Sequence, residues 1–79
     1  MIAQLTGSIV ESSAGRMVLD VAGVGYELLV PATQFDGVTN GQALTVFTVL
    51  IVREDSHTLF GFEDRISKSL FLQLNSVTG

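Results

Sequence analysis

A small, mainly β fold, in which a five-stranded Greek-key barrel is followed by one C-terminal α-helix, is what this sequence predicts, and three observations predict it. Apolar and polar residues alternate in short runs between residues 2 and 62, as half-buried strands require. Turn residues, chiefly glycine, punctuate those runs every several positions. After Phe62 the apolar period lengthens from two to between three and four, so strand gives way to helix.

The first strand is expected over Ile2 to Val10, with Ala3, Leu5, Gly7 and Ile9 on one face and Gln4, Thr6 and Ser8 on the other. Ser12-Ser13-Ala14-Gly15 supplies the turn, because glycine tolerates positive φ and serine bonds the local backbone. The second strand, Arg16 to Ala22, sends Met17, Leu19 and Val21 one way and Arg16 and Asp20 the other. Gly23-Val24-Gly25 is expected to turn the chain into a third strand carrying Tyr26, Leu28 and Val30, which Pro31 ends by removing a ladder donor. Between Pro31 and Gly41 the alternation stops. Thr33 is expected to cap a single helical turn reaching Asp36, before Asp36-Gly37 and Asn40-Gly41 form a loop.

Ala43 to Val52 is the longest strand expected, and from Val46 onward nearly every residue is apolar or threonine. Such a strand is buried on both sides, or on one side by an oligomer partner. A turn at Arg53 to Ser56 leads into a fifth strand, His57 to Phe62. Five short strands with a connector after the third match the five-stranded Greek-key barrel known as the OB-fold. Glu63-Asp64 then starts a helix expected to run to Ser76, with Ile66, Leu70, Leu74 and Val77 at helical spacing and Phe71 and Leu72 widening the apolar surface. A helix that apolar after a finished barrel reads as the opening of a second unit. The expected division is therefore 1–62 for the barrel and 63–79 for the first helix of a truncated domain.

Seventy-nine residues allow one small domain, burying about 60% of its unfolded surface, so its stability is marginal without a partner. Only 15% of residues are charged, against roughly 25% in an ordinary soluble domain, which points to a surface covered by assembly. The net charge is −4, with basic residues only at Arg16, Arg53, Arg65 and Lys68, so the chain alone lacks the footprint of a phosphate-gripping protein. Cysteine is absent, which removes disulfides and thiolate metal sites. Without a leader or an apolar run approaching a membrane span, a soluble cytoplasmic protein is expected.

The chemical motifs are few. Gly23-Val24-Gly25 lacks the following helix and third glycine of a dinucleotide fingerprint, and His57 has no second histidine or cysteine with which to share a metal. Glu54, Asp55, Glu63 and Asp64 could be imagined holding a divalent cation, but adjacent residues of an extended segment point to opposite faces. No set of catalytic roles assembles, so neither an enzyme, a cofactor nor a metal is expected. A free-standing single-strand binder needs aromatics on a basic face. Here Tyr26, Phe35, Phe47, Phe60, Phe62 and Phe71 mostly fall on expected core faces. Glu54 and Asp55, at the tip of the last hairpin, read as a solvated end that discourages edge-to-edge pairing, or as a device for repelling an anion.

Val52-Arg53-Glu54-Asp55-Ser56, followed by Leu59-Phe60-Gly61-Phe62, resembles a segment of the RuvA family of bacterial Holliday-junction recognition proteins. Met1-Ile2, Gly7 closing the first strand, Ala22-Gly23-Val24-Gly25-Tyr26-Glu27, Val46-Phe47-Thr48, Leu70-Phe71 and Val77-Thr78-Gly79 follow in that family's order and spacing, so the resemblance covers all 79 residues. It implies a non-catalytic DNA-binding subunit, assembled as a homotetramer, that acts in branch migration during recombination and SOS-linked DNA repair. It also implies that Glu54 and Asp55 form an acidic pin near the centre of a four-way DNA junction. The family's main DNA contacts, in helix-hairpin-helix motifs, and its contacts with the RuvB motor and the RuvC resolvase are expected in regions mostly beyond this chain. The alternatives are a stand-alone OB-fold nucleic-acid binder and a protein-interaction module that docks through Ile66 to Val77.

Overall fold

In the computed structural model, which describes residues 2–75, five strands form in chain order: β1 (Gln4–Ser13), β2 (Arg16–Val21), β3 (Val24–Leu29), β4 (Ala43–Arg53) and β5 (Ser56–Phe62). A helix, α1 (Arg65–Leu74), follows them. The strands close into a barrel in the order β1-β2-β3-β5-β4, with β4 pairing back onto β1. The β3–β5 seam is parallel and short, at Leu29–Phe60, whereas the other four seams are antiparallel. This is the expected mainly β barrel of OB type with one C-terminal helix.

Strand alternation fills the interior with Ile9, Met17, Leu19, Leu28, Val46 and Leu59, all buried. Each such side chain contributes about 1.5–3 kcal/mol when fully removed from water. Thr48 is the one buried polar side chain among the described residues, and its hydroxyl donates to the Ile2 carbonyl at 2.7 Å. No aromatic side chain belongs to that interior cluster. Phe47, Phe60 and Phe62 instead lie on the outer wall, where Phe47 pairs with Phe62 and Val49 with Phe60 across β4 and β5. Phe71 of α1 covers two of them, with ring centroids 4.9 Å from Phe60 and 5.1 Å from Phe62. β4 is thus buried on both sides, by the barrel interior and in part by the chain's own helix.

β1 serves two neighbours, pairing with β4 over Gln4–Ser8 and with β2 from Ser8 to Ser13, with a bulge between Ile9 and Glu11. Gly7 therefore lies inside the strand, which does not close there but runs on to Ser13. A Cβ at Gly7 would stand 2.1 Å from the Asp20 carbonyl oxygen, so the crossing of β1 over β2 requires glycine.

Three local expectations are corrected. The turn into β3 is Ala22-Gly23, and Val24 and Gly25 already pair with Val21 and Asp20. Both turn residues have positive φ, 52° and 92°, which suits the twist of a two-residue hairpin, and the Asp20 carboxylate accepts the Gly23 N–H at 2.8 Å. The connector contains turns but no helical turn at Thr33, because Phe35 takes a positive φ of 60° and its N–H donates to the Glu63 carboxylate at 3.0 Å. Glu63 accordingly lies outside the helix, and Asp64 alone caps it, accepting the Ser67 N–H at 2.7 Å.

Gln34 joins this corner, accepting the Glu63 N–H at 2.9 Å and donating to the Ser67 hydroxyl at 2.8 Å, so the connector holds the helix start against the barrel. The helix ends at Leu74, while Ser76 and Val77 lie outside the described residues. The expected stripe Ile66, Leu70 and Leu74 forms but faces solvent, 74%, 53% and 86% exposed.

Two outcomes follow in denaturation experiments. Gly7→Ala and Gly61→Ala lower the urea midpoint, Gly61→Ala by an amount corresponding to about 1–3 kcal/mol, since its new Cβ would stand 2.7 Å from Val46 Cγ1. Gly25→Ala, whose nearest contact would be 3.7 Å, leaves it almost unchanged. The cap bonds from Ser67 hold the Asp64 carboxyl below its ordinary value. Its stabilisation is complete above about pH 4, the unfolded value, and is lost as pH falls through the lowered folded value. The midpoint difference between the wild type and Asp64→Ala is therefore constant from pH 7 to 5 and shrinks below pH 4.

Candidate functional site at the β4–β5 hairpin tip

Seven successive antiparallel pairs, from Phe47–Phe62 to Arg53–Ser56, join β4 to β5 without a bulge. Leu50–Leu59 is the last pair packed into the interior. Val52, Arg53, Glu54, Asp55, Ser56 and His57 are all exposed. At about 3.4 Å per residue, the end pair stands about 10 Å beyond the interior, so the hairpin projects as a paired ribbon.

Glu54 and Asp55 are the two turn residues at its end, and neither takes a positive φ. Two-residue hairpin turns ordinarily favour asparagine or glycine at positive φ. With negative φ at both positions this turn makes no such demand, and its geometry tolerates two carboxylates. Two neighbouring carboxylates are held there on a short, two-stranded support.

The charges elsewhere leave this tip uncompensated. Among the described residues, ion pairs are confined to Arg16, which binds Glu27 and, at 3.2 Å, Glu11. Those bonds, Glu27's first, raise the Arg16 guanidinium above its ordinary value. Arg65 lies over the Phe47 ring at 5.1 Å, and Lys68 donates to the Ala3 carbonyl at 3.2 Å. Glu63 and Asp64 sit beyond the far end of β5, about 27 Å along the strand from Glu54 and Asp55, so the four carboxylates do not converge.

His57 pairs with Val52 on the exposed ribbon. Among the described residues, no three His, Cys, Asp or Glu side chains form a metal-binding group, and no helix is long and apolar enough to cross a membrane. With Phe60 and Phe62 packed under Phe71, these rings do not form an open stacking face.

In comparison with known proteins, the family model described as the RuvA N-terminal domain matches residues 1–61. The chain belongs to the RuvA N-terminal domain family. It is 49% identical over 80 aligned positions to the Holliday junction branch migration complex subunit RuvA of Histophilus somni (strain 2336). It is 48% identical to the protein of that name from Pasteurella multocida (strain Pm70) and 46% identical to that from Actinobacillus succinogenes. Each comparison covers all of this chain but only 39% of the relative, so the chain spans about two fifths of the length of these curated relatives.

Sequence reasoning within the RuvA family frame finds the tip but misses the corner that seats α1. Gln34 is 33 residues from Ser67, and no local spacing announces their bond. The Asp64-x-x-Ser67 cap had a readable signal, an acidic residue just ahead of the apolar helical period. Since Glu54 and Asp55 make no bond that folding depends on, Glu54→Gln/Asp55→Gln leaves the thermal midpoint and the near-UV spectrum of the chain unchanged. A marked loss of stability would show that the tip is a structural element.

Proposed function

We propose that this chain is the barrel domain of a non-catalytic DNA-binding subunit that acts in the bacterial cytoplasm on four-way junctions during branch migration, in recombination and repair. In this reading residues 1–62 form the barrel unit and 63–79 open a second one. Glu54 and Asp55 act as an acidic pin. The observation that carries the proposal is the projecting ribbon with two carboxylates at its end that have no ion-pair partner among the described residues. The names of the relatives supply the DNA structure on which such a projection would act.

The pin works by exclusion. In a homotetramer, four tips would bring eight carboxylates to one crossover, where phosphates of converging strands are already crowded. A single pair of like charges 10 Å apart in a water-like medium costs only about 0.4 kcal/mol, but the array sums many such terms in a partly enclosed place. A junction held open and square keeps its phosphates away from the tips, whereas a continuous duplex laid across the centre does not. Repulsion of the wrong DNA then contributes specificity without adding affinity.

The test uses a chimaera in which residues 1–79 replace the matching segment of the Histophilus somni relative. Titration with four-way and linear duplex DNA is expected to show at least a several-fold loss of junction preference in Glu54→Gln/Asp55→Gln, mainly through tighter duplex binding. An unchanged preference would contradict the pin.

A further inference from the structure

Arg65 and Lys68 stand one turn apart on α1, and both side chains are laid against the barrel. Arg65 stacks on Phe47 of β4 and Lys68 donates to the Ala3 carbonyl, ahead of β1. They border a groove of about 270 Å³ between the helix and the β1–β4 seam, where Gln4 and Ser69 add polar groups. Among the described residues neither cation has a carboxylate within ion-pair distance, although the chain carries twice as many acids as bases. Stacking leaves the guanidinium N–H groups free to donate, and Lys68 has used one of its three ammonium donors. Of the other two basic residues, Arg16 is neutralised by Glu27 and Glu11, and Arg53 adjoins Glu54 and Asp55.

We propose that this groove is an anion site that takes a backbone phosphate of DNA, held by Arg65 and Lys68. The inference rests on the junction-binding reading, which supplies a polyanion as ligand, and it gives the domain an attractive contact beside its repulsive one. Phe47 and Arg53 are six residues apart on β4, so the groove and the pin lie about 20 Å apart along the strand. That distance spans about six phosphates of one strand. A duplex arm leaving a junction at the pin could therefore be gripped at the groove while its crossover end is kept off the tip. Apolar Ala3, Phe47 and Leu72 also line the groove, so what favours a phosphodiester over a peptide carboxylate is the pair of adjacent cations, together with the polyanion that the junction-binding reading supplies.

Two contacts give weak, salt-sensitive binding. Raising salt from 20 to 150 mM should weaken binding about 40-fold, from a slope of about 0.9 per contact, so the isolated chain is almost silent near physiological salt. The experiment titrates the 79-residue chain with a fluorescent 16-base-pair linear duplex at several salt concentrations, with amide shifts followed in parallel by NMR. The expected result is shifts centred on Gln4, Phe47, Arg65, Lys68 and Ser69. In Arg65→Gln/Lys68→Gln the salt slope falls by nearly two and affinity at 20 mM drops at least tenfold, while Arg65→Lys/Lys68→Arg restores most of the binding.

Arg16→Gln is the control for bulk charge. If it weakens binding as much per charge as the groove variant does, or if the shifts map elsewhere, the site is overturned. A change in oligomeric state of the groove variant with duplex binding intact would also overturn it, in favour of a protein contact. Because the ligand here is linear duplex and Glu54 and Asp55 stay intact, failure of the groove is distinguishable from failure of the pin.

Discussion

β4 has to be buried on both of its faces, and the rest of the domain is arranged around that requirement. Val46, Thr48 and Leu50 turn inward, while Phe47 and Val49 turn outward and need a second cover. The inward set fixes the closure of the barrel through β1, and Thr48 ties the chain start to it by bonding Ile2 and Ala3. The outward set, continued by Phe60 and Phe62, makes an apolar wall that α1 covers through Phe71. A one-residue slip of β4 against β5 would exchange the two sets and lose both. The register that places Glu54 and Asp55 at the very end of the hairpin is therefore held by packing at its other end.

This arrangement separates, along one element, the part that packs from the part that the proposed function would use. The half of the hairpin near Phe47 and Phe62 is packed on two sides, whereas the half from Val52 to His57 is exposed and free to carry charge. Basic side chains follow a parallel division: Arg65 and Lys68 are held against the wall, and Arg16 is engaged across the first three strands. On the proposed reading, an acidic domain organised in this way would meet DNA with repulsion at its tip and attraction confined to one groove. Specificity for a branched structure would then come from where the charges stand, since their sum, −4, is unfavourable to any DNA.

Period-two alternation made the five strands legible, and in β1 to β3 their apolar inward residues too, because there one face is apolar and the other polar. The double burial of β4 was legible too, from its unbroken apolar run. Its second cover was not, since Phe71 was indistinguishable by spacing from the exposed Ile66, Leu70 and Leu74. Of the aromatics expected mostly on core faces, Tyr26 and Phe35 pack against the interior cluster, while Phe47, Phe60 and the buried Phe62 lie on the outer wall, because β4 and β5 are apolar on both faces and alternation there does not say which is inside. The turn at Ala22-Gly23 was misplaced by one residue, as an alanine at positive φ is disfavoured locally and is held by Asp20 and the flanking pairs. The false helical turn at Thr33 has the same origin. Long-range bonds from Glu63 to Phe35 and from Gln34 to Glu63 and Ser67 override the local preference.

The candidate site was legible as residues but not as geometry. Glu54 and Asp55 were evident from the sequence, while their reach beyond the interior and the lack of an ion-pair partner among the described residues came from the structure. The central claim, that the tip sits at a DNA crossover and works by exclusion, is tested most directly by mapping where the tip lies. The chain contains no cysteine, so Asp55→Cys in the chimaera, with any cysteine of the grafted remainder replaced, carries a photo-crosslinker at one place. The account predicts crosslinks confined to the few nucleotides flanking the crossover of a bound four-way junction. Crosslinks spread along the arms, or equally strong on linear duplex, would contradict it.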